Sequence, residues 1–206
     1  METGNNDIPA SRLYFENLAK DFDTIPVEKK SRLNDLVIYL RSKLKSTGKA
    51  NILFISPYDG SLGQMGQLWA KTGSLYHGLP IEILTGSRNG NEINPYALTA
   101  IRNRGFEIKK IKGGVFPVYS VRYADAPLGI KVSSMPLEEA ADRASGYVAM
   151  VINQREWESP LLKHAEFRFP LTYDIIPKED DHQKYNRLFH QIGVDMSFIF
   201  SRIREG

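Results

Sequence analysis

A three-layer α/β/α domain on a central, mainly parallel sheet of about four strands is the fold class this sequence predicts, and three observations carry it. Apolar runs of five or six residues, such as Asn51–Ile55 and Tyr147–Ile152, recur along the chain. Longer segments with apolar residues at helical spacing alternate with them. The first run leads through a loop of small residues directly into a helix. A run that is apolar without alternating fits a strand covered on both faces, and strands alternating with helices build a doubly wound sheet.

The elements follow in order. Phe15, Leu18, Ala19 and Phe22 predict a helix over 11–22, and Asp23–Pro26 breaks it. Pro26 suits the first turn of a second helix, whose stripe is Leu33, Leu36, Val37, Leu40 and Leu44 and which closes at Ser46–Lys49. The 51–55 strand opens into Ser56–Gly63 and a helix from Gln64 to about Tyr76. Residues 81–86 read as a strand, Asn94-Pro95 opens a helix that Gly105 stops, and 115–123 with 130–133 suggest a hairpin. Residues 147–152 and 166–171 are further strands, the latter with a proline suited to an edge or an end. Tyr185, Leu188, Phe189, Ile192, Met196 and Ile199 mark a closing helix. The expected organisation is an N-terminal helical extension over 1–48 and one domain over 49–206.

Composition narrows the function. The 206 residues are 42% hydrophobic and 25% charged, enough for one real core. Lys+Arg 27 against Asp+Glu 24 leaves +3, too small an excess to imply nucleic acid, and the basic run Lys109, Lys110 and Lys112 reads as a solvated strand edge. No apolar run approaches the roughly 18 residues of a membrane span and the polar start is not a secretory signal, so a cytoplasmic protein without a membrane partner is expected. The chain has no cysteine, which removes disulfides, thiolate nucleophiles and Cys-ligated metals together. The four histidines show no HExxH or comparable spacing, so no metal and no cofactor is expected.

The words Leu53-Phe54-Ile55, Gln64-Met65 and Trp69-Ala70 in this order resemble the low-molecular-weight protein tyrosine phosphatase and arsenate reductase superfamily, which opens LF(V/I)C-x5-R-S-Q-M. Thr85-Gly86-Ser87, Asn94-Pro95 with Ala97, and Arg104-Gly105-Phe106 resemble later family pieces. Pro117 to Tyr123 and Gln191 to Met196 resemble a bacterial branch that carries an N-terminal helical extension, so the likeness spans nearly the whole chain. It implies a phosphotyrosine protein phosphatase I-like fold, with the site where the 56–63 loop leaves the first strand.

The departures from that pattern bear on chemistry. The family's thiolate position is Ser56 here, and its phosphoryl-clamping Arg position is Leu62. Between them stand Pro57, Tyr58, Asp59, Gly60 and Ser61; Pro57 has no N–H to offer an anion, and Asp59 repels one. The family's acid is an Asp before a Pro, but Ile176 precedes Pro177, and Asp174 lies two positions early. The branch's late Cys-Pro is Ser159-Pro160. A serine hydroxyl is un-ionised at pH 7 and needs a neighbouring base. Losing the Arg costs roughly a thousandfold or more, and losing the acid about a hundred- to ten-thousandfold again.

The expected protein is therefore a catalytically inactive homologue whose remodelled loop binds an unidentified protein or small molecule. Ser56, Tyr58, Asp59, Gly60, Ser61 and Gly63 are its candidate ligand-binding residues. The alternative is a diverged phosphatase-like hydrolase that uses Ser56 or Asp174. The plainer expectations are that Ser56 caps the strand-to-helix turn, Asp59 caps the helix, and Tyr58 fills the anion pocket or faces solvent. His77 is expected at the last carbonyls of its helix and His190 as a half-buried core residue. Phe116, Tyr119, Tyr123 and Tyr147 are expected in packing.

Overall fold

The computed structural model describes residues 10–56, 60–90, 92–123, 129–144, 146–152, 159–173 and 181–205. The helices are α1 (Ala10–Asn17), α2 (Val27–Thr47), α3 (Gly60–His77), α4 (Pro95–Asn103), α5 (Leu137–Arg143) and α6 (His182–Glu205). The strands are β1 (Ala50–Ser56), β2 (Ile81–Ser87), β3 (Phe106–Lys112), β4 (Val118–Tyr123), β5 (Ile130–Ser133), β6 (Met135–Pro136), β7 (Tyr147–Ile152) and β8 (Ala165–Leu171).

The central sheet has the order β6-β2-β1-β7-β8 with every neighbouring pair parallel, so it holds five strands rather than the four expected. The extra one, β6, pairs only with Gly86 and Ser87 of β2, and two residues are too few to leave a periodic signal. The remaining strands form an antiparallel sheet, β3-β4-β5, which contains the anticipated hairpin and puts the exposed Lys109, Lys110 and Lys112 on an edge strand.

Successive residues of β1 face opposite ways, and both ways are dry. Ile52 and Phe54 join a core with α2, α3 and α6, while Leu53 and Ile55 join a second core with Leu137, Ala140 and Ala141 of α5. That is why the run is apolar without alternation. The periodicity reading missed α5, a seven-residue helix whose buried face is one leucine and two alanines.

Two close approaches fix α3 against α6. The indole N–H of Trp69 donates to the Phe189 carbonyl at 2.9 Å, and a Cβ at Gly193 would stand 2.9 Å from Trp69 Cε2. The N-terminal helices close the same core. Leu33, Leu36, Val37 and Leu40 of α2 are buried, and Gly48 ends the helix at φ 73° with its N–H on the Leu44 carbonyl at 2.9 Å. Lys43 holds both carboxylate oxygens of Glu166 on β8 at 2.8 Å, and Tyr39 donates to the same carboxylate.

Three boundaries differ from those expected. The 11–22 helix is α1 followed by a 3-10 segment, Leu18–Thr24. Residues 115–117 lie outside β4, with Val115 exposed. Above all, α3 begins at Gly60 rather than Gln64, so Gly60 to Gly63 form a helical first turn instead of a loop.

Candidate functional site at the carboxyl ends of β1 and β2

In an open α/β sheet, ligands bind beyond the carboxyl ends of the strands. Here β1 ends at Ser56, which is buried and stands in register with Ser87, the last residue of β2. The N-terminus of α3 faces this edge. A Cβ at Gly63 would lie 2.7 Å from Thr85 Cγ2 and 3.4 Å from Ser56 Cβ, so only glycine lets the helix come so close to both strands. The first four N–H groups of an α-helix have no intrahelical acceptor; in α3 they include those of residues 60–62.

Of the candidate binding residues, Ser56, Gly60, Ser61 and Gly63 are brought together at this edge. Ser61 Oγ accepts the Asn94 N–H at 2.9 Å, and Asn94 Oδ1 accepts the Tyr96 N–H at 2.8 Å as the N-cap of α4. The first turn of α3 thus also anchors the start of α4. Tyr58, Asp59 and Asp174 lie outside the described residues, and with them the expected cap and the expected acid. Ser56 closes β1 itself. Leu62 is half-buried and packs against the main core. Ser159 is buried ahead of the 3-10 segment Pro160–His164.

Gln64 and Ser134 belong to the site although the sequence reading left them out. Both are buried, Gln64 to 0% exposure and Ser134 to 2%. Among the described residues, neither the Gln64 Oε1 and Nε2 atoms nor Ser134 Oγ has a hydrogen-bond partner. Gln67, one turn further along, is the opposite case: its Nε2 donates to the Ile83 carbonyl at 3.2 Å and its Oε1 accepts the Ser133 N–H at 3.0 Å. A glutamine on a buried helix face was visible in the sequence, but an unmet hydrogen-bonding capacity is visible only in three dimensions.

The histidines stand elsewhere. His77 ends α3, about 25 Å along the helix axis from Gly60. It packs edge-on against Phe15 and lies 3.5 Å from Ser201 Oγ, not on the helix's last carbonyls as expected. His190 is half-buried as anticipated, with Nε2 at 3.1 Å from Asp21 and Nδ1 at 3.4 Å from the Tyr14 hydroxyl. Burial and, after it, Arg104 hold its pKa below the usual value against the pull of Asp21. A neutral ring donating from Nε2 and accepting at Nδ1 satisfies both neighbours. His182 packs edge-on against Tyr96. Tyr119 and Tyr147 are buried in packing as expected, and Phe116 is half-buried. No group of three metal-ligating side chains occurs among the described residues, and no described helix is long and apolar enough to cross a membrane.

A cavity of about 400 Å³ opens between α2, the end of β8 and α6. Its buried polar groups satisfy one another. Lys29 Nζ pairs with Asp195 Oδ2 at 2.6 Å, the Tyr173 hydroxyl donates to the same oxygen at 3.0 Å, and the ammonium sits 4.2 Å over the Tyr173 ring. Burial raises the Tyr173 pKa well above its ordinary value, with Asp195 adding to it, and burial raises that of Asp195 against the opposing pull of Lys29.

A parallel sheet covered on both faces, with a helix N-terminus at the end of its central strand, is an α/β fold, and the chain shares that fold with a solved low-molecular-weight phosphatase-like structure. A mutant of YwlE arginine phosphatase, with serine in place of cysteine and that active-site serine phosphorylated, superposes with a TM-score of 0.53 at 14% identity, over 75% of this chain and 96% of that one. An arsenate reductase in a phosphate-binding state gives 0.49 at 14% identity, over 75% and 98%. A thioredoxin-dependent arsenate reductase of Corynebacterium glutamicum gives 0.43 at 16% identity, over 88% and 78%. No protein-family model and no curated protein matches the sequence.

Proposed function

We propose that this chain is a non-catalytic member of the phosphatase and arsenate reductase-like fold that binds a ligand or a partner at the carboxyl ends of β1 and β2. Residues 1–48 act in it as a helical extension docked on a domain of 49–206. The observation that carries this reading is Leu62. It stands at the position the resemblance gives to the phosphoryl-clamping arginine, and its half-buried side chain packs against the core. A transferring phosphoryl group needs a charge complement there, and a leucine supplies none. Ser56 adds to this, because a serine hydroxyl is un-ionised at neutral pH and a weaker nucleophile than the thiolate the resemblance gives to that position. The experiment is an aryl phosphate hydrolysis assay of the wild type against Ser56→Ala. Equal, background-level rates are expected, and a Ser56-dependent rate would refute the proposal.

One observation favours a second reading, a diverged hydrolase that uses Ser56 or Asp174. In the YwlE mutant the serine that replaces the active-site cysteine carries a phosphoryl group, so a serine in this fold can accept one. Intact-mass measurement after incubation with an aryl phosphate separates the two readings. A phosphoryl adduct absent from Ser56→Ala belongs to the hydrolase, and an unmodified chain belongs to the binding protein.

A further inference from the structure

Beside the N-terminal turn of α3 stand three buried polar atoms without hydrogen-bond partners among the described residues, Gln64 Oε1, Gln64 Nε2 and Ser134 Oγ. Helical side chains lean toward the helix N-terminus, and the Gln64 side chain does so here. The point that a Gly60 Cβ would occupy lies 3.7 Å from Gln64 Cδ and 3.1 Å from Ser134 Oγ. The amide and the hydroxyl therefore border one nook, beside the helix end whose N–H groups lack intrahelical acceptors. Buried polar side-chain atoms in folded proteins nearly all find a partner, and leaving them unmet destabilises the fold. Gln67 meets that rule on the same helix, with both amide atoms bonded.

We propose that Gln64 and Ser134 form, with the first turn of α3, the recognition element for an uncharged group that carries a hydrogen-bond donor and acceptor side by side: an amide, imide or ureido function. This rests on the binding reading above and names the ligand class of that site. A carboxamide with both ends free matches such a group in two parallel hydrogen bonds, whereas an oxyanion satisfies its N–H₂ and is repelled by its carbonyl. The described residues at this edge point the same way. Ser56, Gly60, Ser61, Gly63, Thr85, Ser87 and Ser134 are all uncharged, and the cationic Arg88 that follows Ser87 is exposed.

The test is a titration of the full chain with hydantoin, an imide and ureide in one ring, followed by NMR on the Gln64 side-chain N–H₂ resonances. These are assigned by their loss in Gln64→Met. A saturable shift by about 10 mM is expected for so small a ligand. Affinity should fall about tenfold in Ser134→Ala, which removes one hydrogen bond from a buried site. Melting of the ligand-free proteins is the second readout. Gln64→Met deletes two unmet polar atoms and should raise Tm by about 3 °C. No hydantoin shift overturns the inference, and so does a fall in Tm, which would assign the amide to a bound water in the free protein. A parallel titration with inorganic phosphate and the aryl phosphate assay separate the two levels of the argument. Saturable phosphate binding, like silence from hydantoin, refutes the ligand class alone, whereas a Ser56-dependent aryl phosphate hydrolysis rate refutes the binding reading itself.

Discussion

Replacing Lys29 by methionine should be among the most damaging single changes in the protein that leave its hydrophobic cores whole. Lys29 Nζ lies 2.6 Å from Asp195 Oδ2, and the two side chains are 19% and 4% exposed. Removing one partner of such a pair leaves a carboxylate buried without its counter-charge, which costs 3–5 kcal/mol in well-enclosed cases. Because Lys29 is about one-fifth exposed, the lower end applies, about 3 kcal/mol, including the lost ammonium–ring contact with Tyr173. Urea unfolding measures it as a shift in midpoint at unchanged slope. Asp195→Asn, which keeps an acceptor for the Tyr173 hydroxyl, should cost only about 1 kcal/mol, and the double variant about 2 kcal/mol, giving a coupling of about 2 kcal/mol. The pH dependence supplies an independent sign. With Lys29 gone, the folded-state pKa of Asp195 rises further above its unfolded value. The penalty is then full at pH 7 and shrinks as pH falls through the raised folded pKa, because the protonated folded form takes over. A loss below about 1 kcal/mol that simply adds to that of Asp195→Asn would refute the reasoning.

Other predictions concern two histidines, the core and the strand-end site. Burial, with Arg204 for His77 and Arg104 for His190, depresses both histidine pKa values. Their contribution to stability is complete above the unfolded value of about 6.5 and is lost as pH falls below it toward the folded values, since the unfolded chain takes up protons first. Tm should be flat from pH 8 to 7 and drop between about 6.5 and 5, and that drop should be smaller in His77→Phe. Gly66→Ala would drive a Cβ into the Phe54 ring and should cost about 1–3 kcal/mol in urea unfolding, although alanine is the better helix former. Ser56→Cys alone should show no aryl phosphate turnover above the wild type, since a thiolate restored beside Leu62 still lacks a charge complement for the phosphoryl group. Turnover from that single change would mean that the anion-holding groups persist.

Much of the fold was legible because its strands and long helices are strongly patterned. The β1 and β7 runs are apolar on both faces since α5 covers what α2, α3 and α6 do not. The α2 stripe was readable because one helix face is buried throughout. Elements too short to show a period escaped, as with two-residue β6 and seven-residue α5. The start of α3 was misjudged because Gly60, Ser61 and Gly63 read as loop residues. Two of those positions are instead small because neighbours crowd them: Thr85 and Ser56 at Gly63, and Ser134 at Gly60. At the candidate site, Ser56 and Leu62 could be read from the motif. Gln64 and Ser134, 70 positions apart in the sequence, could not, because only the fold brings them together and only their neighbours show that both are unmet.

Calorimetric titration with inorganic phosphate tests the central claim most directly, that the strand-end site of this phosphatase-like fold no longer holds an oxyanion. No saturable heat at millimolar phosphate is the predicted result. A 1:1 isotherm that disappears in Gly60→Asp, which would put a carboxylate at the N-terminus of α3, would contradict it.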